Sequence, residues 1–548
     1  MRVEVDWGKA ARESLLLKAV KVWRDDSDIW FSHAYERLQE TVRVNPLSAD
    51  REWVENWLKS LDCEPIPWFN GVGSAWTMPF PRGKALGEVK TNLAALHETG
   101  RLTRQEAVSM LPVLALDPQP GEYVLDLCAS PGSKTSQIAE HLDNSGVVVA
   151  NEIARSRVNL LVSNMQRHRT RSNIIVNHDA RHFPNVPEYG YDRILVDAPC
   201  TGTGTTRKNP DVWSRWNPNG GRSMQKLQID ILNRAVRIVK NGGRVVYSTC
   251  SLDPIENEAV VAEVLRQNRK LKLISAHDLI PNLIASEGMN HWPVLSDDCS
   301  IVQENENLDC FYPPSESRIM ESLPLCMRVW NDQSKAGGFF LAVFEKNSDS
   351  DDDTDVEIEH TLSEKEAPQD NENLPQPITL EVRESLEDEL GSLPRNLWQR
   401  GKKILWTSPE AKQIWESKRS RRGGRIRIPG NRWRPLKVVY LGLESFHLRK
   451  GKFERVVGSA AKLISKEIDL GKTIVNSKII DSLLSGEEPE PSSIDSSLSS
   501  VRGNHLLIDN LDGTTIPVWI GGRITLMMRK SEVRVLQEIR DIGHDSEE

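Results

Sequence analysis

Between Tyr123 and Lys346, short apolar runs of strand length alternate with longer stretches in which apolar positions recur every three or four residues. YVLDLCA, VVVANE, NIIVNHDA, YDRILVDAPC and GGRVVYSTC predict five strands, and GGFFLAVFEK closes the set. SKTSQIAEHL, RSRVNLLVSNMQRH, SMQKLQIDILNRAVRIVK and IENEAVVAEVLRQN predict helices between and beside them. Strand and helix alternating in this way specify an α/β fold, a doubly wound and mainly parallel sheet, over residues 111–346.

The flanks follow other patterns. In residues 1–110, WVENWLKSL sets Trp53, Trp57 and Leu61 at helical spacing, and an irregular tract rich in Gly, Pro and Trp follows, so an α-rich appended module is expected. Residues 347–391 hold the acidic runs DSDDDTDVEIE and ESLEDELG, too poor in apolar residues to build a core, and are expected to be a linker. From 392 to 548, VVYLGLESF, HLLIDNLDGTTIPVWIGG and RITLMMR predict strands of a small β-rich accessory module, interrupted by the loop EEPEPSSIDSSLSS. No internal repeat suggests a solenoid.

Composition narrows the class. The chain has 548 residues, 38% hydrophobic and 27% charged, with no unbroken apolar stretch of membrane-spanning length and no basic-then-apolar leader. A chain without membrane association, in the cytoplasm or nucleus, is expected. The seven cysteines are odd in number and form no C-x-x-C pair or zinc-type cluster, so neither a disulfide scaffold nor a metal is expected. A net charge of −8 argues against a polyanionic partner until its distribution is considered: Lys418 to Arg434 holds eight basic residues in seventeen.

Ligands of doubly wound sheets bind outside the carboxyl ends of the strands. Here the first strand runs into Cys128, Ala129, Ser130, Pro131, Gly132, Ser133 and Lys134, a tight turn opening a helix whose first N–H groups are free. The second ends at Glu152, suited to a ribose diol, the third at His178-Asp179, the fourth at Asp197-Ala-Pro-Cys200 and the fifth at Thr249-Cys250. Each alone has a plainer explanation as a loop turn, a helix cap or a buried thiol. A P-loop is excluded because Ser133 precedes Lys134 where that motif has Gly. Five successive strand ends delivering acid or thiol to one edge are harder to explain structurally, and Cys200 with Cys250 suggests a paired-thiol site. A redox pair is the competing chemistry, though such pairs usually lie close in sequence.

The tracts VLDLCASPGSKTSQIAE, ILVDAPCTGTGTTRKNPDVW and GGRVVYSTCSLDPIENEAVV closely resemble the Sun-type (NOL/NOP/Sun) RNA cytosine-5 methyltransferases. RLTRQEAVSMLPVLAL and NHDA are similar to the tRNA-modifying branch, and the resemblance covers roughly residues 40–346. It implies a Rossmann-like S-adenosylmethionine-dependent methyltransferase sheet, an RNA-binding N-terminal module, and transfer to carbon 5 of cytosine in tRNA or rRNA by a chain acting as a monomer. Cys250 is then the nucleophile that adds to carbon 6, Cys200 assists product release, Asp197 hydrogen-bonds the cytosine edge, and Lys134 lies near cofactor and base. Cys128 through Lys134, with Glu152, Asp179 and Asp197, would form the cofactor pocket. Ser130 departs from the Ala common in the family.

Two other readings remain. In a DNA cytosine-5 methyltransferase Cys200 would attack, which leaves Cys250 without a role; a non-catalytic RNA-binding relative would have no use for Cys200, Cys250, Asp197 and Lys134 together. In the basic run, Arg421, Arg422, Arg425, Arg427 and Arg432 are candidate phosphate contacts on a flexible strip, Trp433 a candidate base-stacking residue, and a PUA-like accessory fold is an expectation.

Overall fold

The structure, a computed structural model, describes residues 6–187, 189–303, 310–347, 375–416, 426–428, 432–434 and 436–542. Five parallel strands form its centre: β1 (Tyr123–Asp126), β2 (Val147–Asn151), β3 (Asn173–Val176), β4 (Tyr191–Asp197) and β5 (Val239–Thr249), in the order β3-β2-β1-β4-β5. Every residue of β2 and β3 is buried, which is why these segments read as near-continuous apolar runs and not as alternation. The helices are α1 (Ser133–His141), α2 (Arg155–His168), α3 (Pro218–Ile238) and α4 (Glu258–Gln267). The α3 helix starts before its apolar periodicity does, because Asn217 accepts the Gly220 N–H and Pro218 occupies the first turn.

The sheet extends beyond the expected strands to ten. On one side β6 (Leu271–Ile274) and β8 (Met327–Val329) pair antiparallel with β9 (Phe339–Lys346), which pairs antiparallel with β5, and β7 (Ser286–Glu287) lies outermost. On the other side β10 (Val438–Leu441) pairs antiparallel with β3, Val438 opposite Val176 and Leu441 opposite Ile174. This corrects the assignment of VVYLGLESF wholly to the accessory module. An open edge of β3 would leave a row of backbone N–H and C=O groups unpaired, and β10 fills it.

The expected linker also changes. Residues 348–374 lie outside the described residues, but Leu380–Leu390 is a helix capped by Thr379, with Leu386 and Leu390 buried in the C-terminal core. Its apolar residues keep four-residue spacing beneath acidic neighbours, so acidity concealed a packed helix. The N-terminal region has the expected helices, Trp7–Arg12, Leu15–Trp23, Ser27–Ala34, Arg51–Ser60 and Gly87–Glu98. It also carries a four-stranded sheet of Gln39–Val44, Glu64–Pro65, Ser74–Pro81 and Leu102–Arg104, of which Ser74–Pro81 falls in the tract read as irregular. There Ala75, Trp76 and Met78 are all buried, so no alternation marks the strand. The first three helices pack their apolar residues, with Trp30 at the centre, against Trp213, Trp216 and Trp330 of the catalytic region.

Candidate active site

Parallel strands in register bring their carboxyl ends together. Asp197, last in β4, is opposite Ser248 of β5, so the loops leaving these strands run side by side. Cys200 lies three residues beyond β4 and Cys250 directly follows β5, and their sulfurs are 3.3 Å apart. The Gly204 N–H donates to the Cys250 carbonyl (2.8 Å) and the Gly338 N–H to the Gly204 carbonyl (2.8 Å), which holds the two loops against β9. Backbones approach so closely here that a Cβ on Gly204 would lie 2.2 Å from the Gly338 oxygen.

Behind the thiols is a buried carboxylate. Glu256, fully buried, accepts from the Thr201 N–H (2.9 Å), the Gln228 amide (3.1 Å), the Ser251 hydroxyl (2.6 Å) and the Thr201 hydroxyl. One residue therefore ties the position after Cys200 to the position after Cys250. Glu258, also fully buried, pairs both its oxygens with Arg328 at 2.5 Å, and Arg328 donates to the Leu252 carbonyl at 2.8 Å. Neither Glu256 nor Arg328 was singled out from the sequence. The signal available was the polar run Glu256-Asn257-Glu258 inside PIENEAVV, whose other residues are apolar, just past the T-C motif.

Lys134, in the first turn of α1, donates to Asp197 at 2.7 Å, and the other Asp197 oxygen accepts from Ser248 at 2.9 Å. Burial works against the Lys134 charge, but Asp197 and then Cys250 more than offset it and raise its pKa above the ordinary lysine value. The Cys200 thiol is held well above the ordinary range by its hydrogen bond to Cys250 and by burial. Either sulfur can be the donor of the hydrogen bond between them. The Lys134 ammonium lies 5.8 Å from the centre of the Phe339 ring.

The remaining predicted positions line the same edge. Gly132, at φ +108°, opens α1, whose first turn has no side-chain cap. A Cβ at Gly132 would lie 2.9 Å from Leu161, so the turn is pressed onto α2. The Ser130 hydroxyl donates to the Arg157 carbonyl (3.1 Å) and Arg157 returns a bond to the Ser130 carbonyl (2.7 Å); Ala129 donates to Asn151 (2.9 Å). Burial, then the Asp126 carboxylate, pushes the Cys128 thiol up. Glu152 is 4% exposed; one oxygen accepts the Ala154 N–H at 2.8 Å, while the other has Arg157 at 3.6 Å, beyond hydrogen-bond reach. Asp179 is held by the Arg181 guanidinium (2.6 Å), which with its backbone bond lowers the carboxyl pKa.

A cleft of about 400 Å³ lies over this edge, bounded by Lys134, Asp197, Cys250 and Phe339 below and by Arg82 and Arg104 of the N-terminal region above. Arg421, Arg422 and Arg425 lie outside the described residues, and Arg427, Arg432 and Trp433 fall on a two-stranded ribbon, Ile426–Ile428 with Arg432–Arg434. The ribbon replaces the expected flexible strip; I-R-I and R-W-R alternate as strands do. Among the described residues no helix is long and apolar enough to cross a membrane, and no group of three or more His, Cys, Asp and Glu side chains could hold a metal ion.

A doubly wound sheet with acids, a lysine and a thiol pair gathered at its strand ends is suited to cofactor-dependent group transfer. A family profile described as 16S rRNA methyltransferase RsmB/F matches residues 113–345. The tRNA (cytosine(49)-C(5))-methyltransferase of Pyrococcus abyssi is 35% identical over 246 residues, 44% of this chain and 76% of that protein. The multisite-specific tRNA:(cytosine-C(5))-methyltransferase of Saccharomyces cerevisiae is 41% identical over 309 residues, 52% of this chain and 45% of that protein. The tRNA (cytosine(34)-C(5))-methyltransferase of Drosophila melanogaster is 35% identical over 314 residues, 51% of this chain and 42% of that protein. The chain belongs to the Sun-type (RsmB/F) family of RNA cytosine-5 methyltransferases. It spans less than half the length of the yeast and fly relatives.

Proposed function

We propose that this protein transfers a methyl group from S-adenosylmethionine to carbon 5 of a cytosine in tRNA. The observation that carries the reading is the 3.3 Å approach of Cys200 and Cys250 beside the Lys134–Asp197 pair. The names of the yeast, fly and archaeal relatives favour tRNA, and the bacterial relatives named as ribosomal RNA methyltransferases keep rRNA as the second substrate.

The residues at the strand ends fit the cofactor. Glu152 is a buried carboxylate with one oxygen free to accept from a diol, Asp179 stands beyond the neighbouring strand, and the uncapped first turn of α1 offers N–H groups to a carboxylate. When bound, S-adenosylmethionine supplies an electrophilic methyl group on a sulfonium.

The protein's own part begins at Cys250. Carbon 5 of cytosine is too weak a nucleophile for direct methylation, so the Cys250 thiolate adds to carbon 6 and displaces the 5,6 double-bond electrons toward carbon 5. Asp197, fixed from both sides by Lys134 and Ser248, meets the edge of the base where charge accumulates. Once carbon 5 carries the methyl, it loses its proton to water, the 5,6 double bond re-forms and the sulfur–carbon bond breaks. Cys200, whose thiol is held protonated by its raised pKa, is placed to hydrogen-bond the departing Cys250 thiolate.

Purified protein incubated with S-adenosylmethionine and a bulk tRNA fraction should yield 5-methylcytosine in the nuclease digest. Glu152→Ala should weaken cofactor binding by about tenfold or more, the equivalent of one hydrogen bond to a charged group at about 1.5 kcal/mol. Absence of 5-methylcytosine from tRNA and rRNA alike would end the reading.

A further inference from the structure

A second cavity, about 1050 Å³, is wedged between α2, the N-terminal region and the C-terminal sheets. Its lining shares His97 and Arg167 with the lining of the cleft over Cys250, so the two spaces are neighbours. Much of its charge is already neutralised: Lys403 pairs with Glu444 at 2.7 Å, and Arg169 with Glu532. Three guanidinium groups are left. Arg167 donates to Asn164 at 2.7 Å and contacts the His97 ring at 2.6 Å; Arg455 donates to His447 at 3.1 Å; Arg529 is exposed. None of the three has a carboxylate of the cavity lining as its ion-pair partner among the described residues. Burial, then Arg167, depresses His97 to a pKa of about 4, so its imidazole is neutral at pH 7 and adds no charge, while Glu98 of the same lining partly offsets Arg167.

The same cavity holds an exposed aromatic face. Trp519 is 42% exposed on the strand Thr515–Ile520, whose other members are all buried. A large indole displayed beside arginines is the pairing that single-stranded nucleic acid uses, with phosphates on the cations and a base on the ring.

We propose that this cavity is a second RNA site, which holds the substrate strand beyond the target nucleotide, with phosphates at Arg455 and Arg529 and an unpaired base on Trp519. The proposal rests on the reading of the substrate as RNA, and it assigns the C-terminal contribution to this cavity and not to the basic run at 418–434. The adjacency to the cleft makes a polynucleotide, whose target nucleotide must enter that cleft, a better occupant than an acidic protein.

The test uses the full chain and a bulk tRNA fraction, with affinity measured by anisotropy between 50 and 200 mM salt. The double variant Arg455→Gln/Arg529→Gln should bind roughly tenfold more weakly at low salt, and its log–log salt slope should be shallower by about one to two, since each lost phosphate contact removes somewhat less than one released counterion. Trp519→Ala should bind roughly tenfold more weakly with its slope unchanged, because stacking releases no counterions. Melting temperature and cofactor affinity should stay at wild-type values in both variants, which localises the loss to RNA. Wild-type affinity and slope in the variants would overturn the proposal, as would be expected of a cavity that serves an acidic protein. Transfer of methyl to RNA is read separately. Wild-type protein that binds tRNA through these residues yet forms no 5-methylcytosine contradicts the proposed reaction and leaves the site standing, whereas normal transfer with unaffected binding in the variants removes the site alone.

Discussion

Cys200 and Cys250 meet although fifty positions separate them, because each leaves an adjacent parallel strand at the same level of the sheet. What holds them at that distance is Glu256, with four donors on one carboxylate. Glu256→Ala would strand buried donors at about 1–3 kcal/mol each, so we expect a loss of about 2–4 kcal/mol in stability and a large fall in kcat with cofactor affinity retained. Glu256→Gln should recover most of both, since the Thr201 and Ser251 hydroxyls can turn to accept from its amide while its oxygen serves Thr201 N–H and Gln228. Equal kcat in the wild type and the Ala variant would show that the carboxylate does not position the thiols. The strand-end residues Lys134, Asp197, Cys200 and Cys250 were legible in the sequence because they sit where apolar runs stop. Glu256 was not, since its importance comes from partners on three separate segments.

At the scale of elements, the helix Lys530–Ile539 joins the end of the chain to its beginning. Glu532 is bound by Arg101 at 2.8 Å and by Arg169, Arg534 reaches Asn92 at 2.6 Å, and Val535 enters the core of the N-terminal region. Burial opposes the Glu532 charge, but the two arginines overcome it and hold the carboxyl near pKa 2. A carboxyl depressed in this way adds stability above its unfolded pKa, about 4.5, and the contribution fades as pH falls toward 2. Glu532→Gln would leave the buried Arg101 with Asp50 (2.7 Å) as its remaining carboxylate partner, at a cost of about 1–3 kcal/mol, and should flatten the acid limb between pH 5 and 2. Amide exchange of this helix at pH 7 should rise in the variant; unchanged protection would mean that apolar packing alone docks it. The helix periodicity is visible in the sequence, but its partners lie hundreds of residues away, and pairings of that kind leave no local signature. The same holds for β10, whose VVYL run looks like any accessory strand until β3 is seen to lack a neighbour.

For the molecule as a whole, the sequence divides more sharply than the structure does. The alternating pattern from Tyr123 to Lys346 gave the parallel sheet and all four of its main helices, yet the core of that sheet also takes in Trp398, Leu405, Ile414 and Trp415 from beyond the acidic segment. A chain ending at Lys346 would lose these side chains, each worth about 2 kcal/mol, and would expose the edge of β3. We expect its melting temperature to fall by about 10 °C or more; a truncated chain melting with the full protein would show the catalytic region to be self-contained. The central claim, that Cys250 attacks and Cys200 releases, is tested most directly by trapping the covalent intermediate. With S-adenosylmethionine and tRNA, Cys200→Ala should accumulate a denaturant-stable protein–RNA adduct that ribonuclease removes. Cys250→Ala and the double variant should form none. An adduct that persists in Cys250→Ala, or one that is lost in Cys200→Ala while the wild type forms it, would contradict the account.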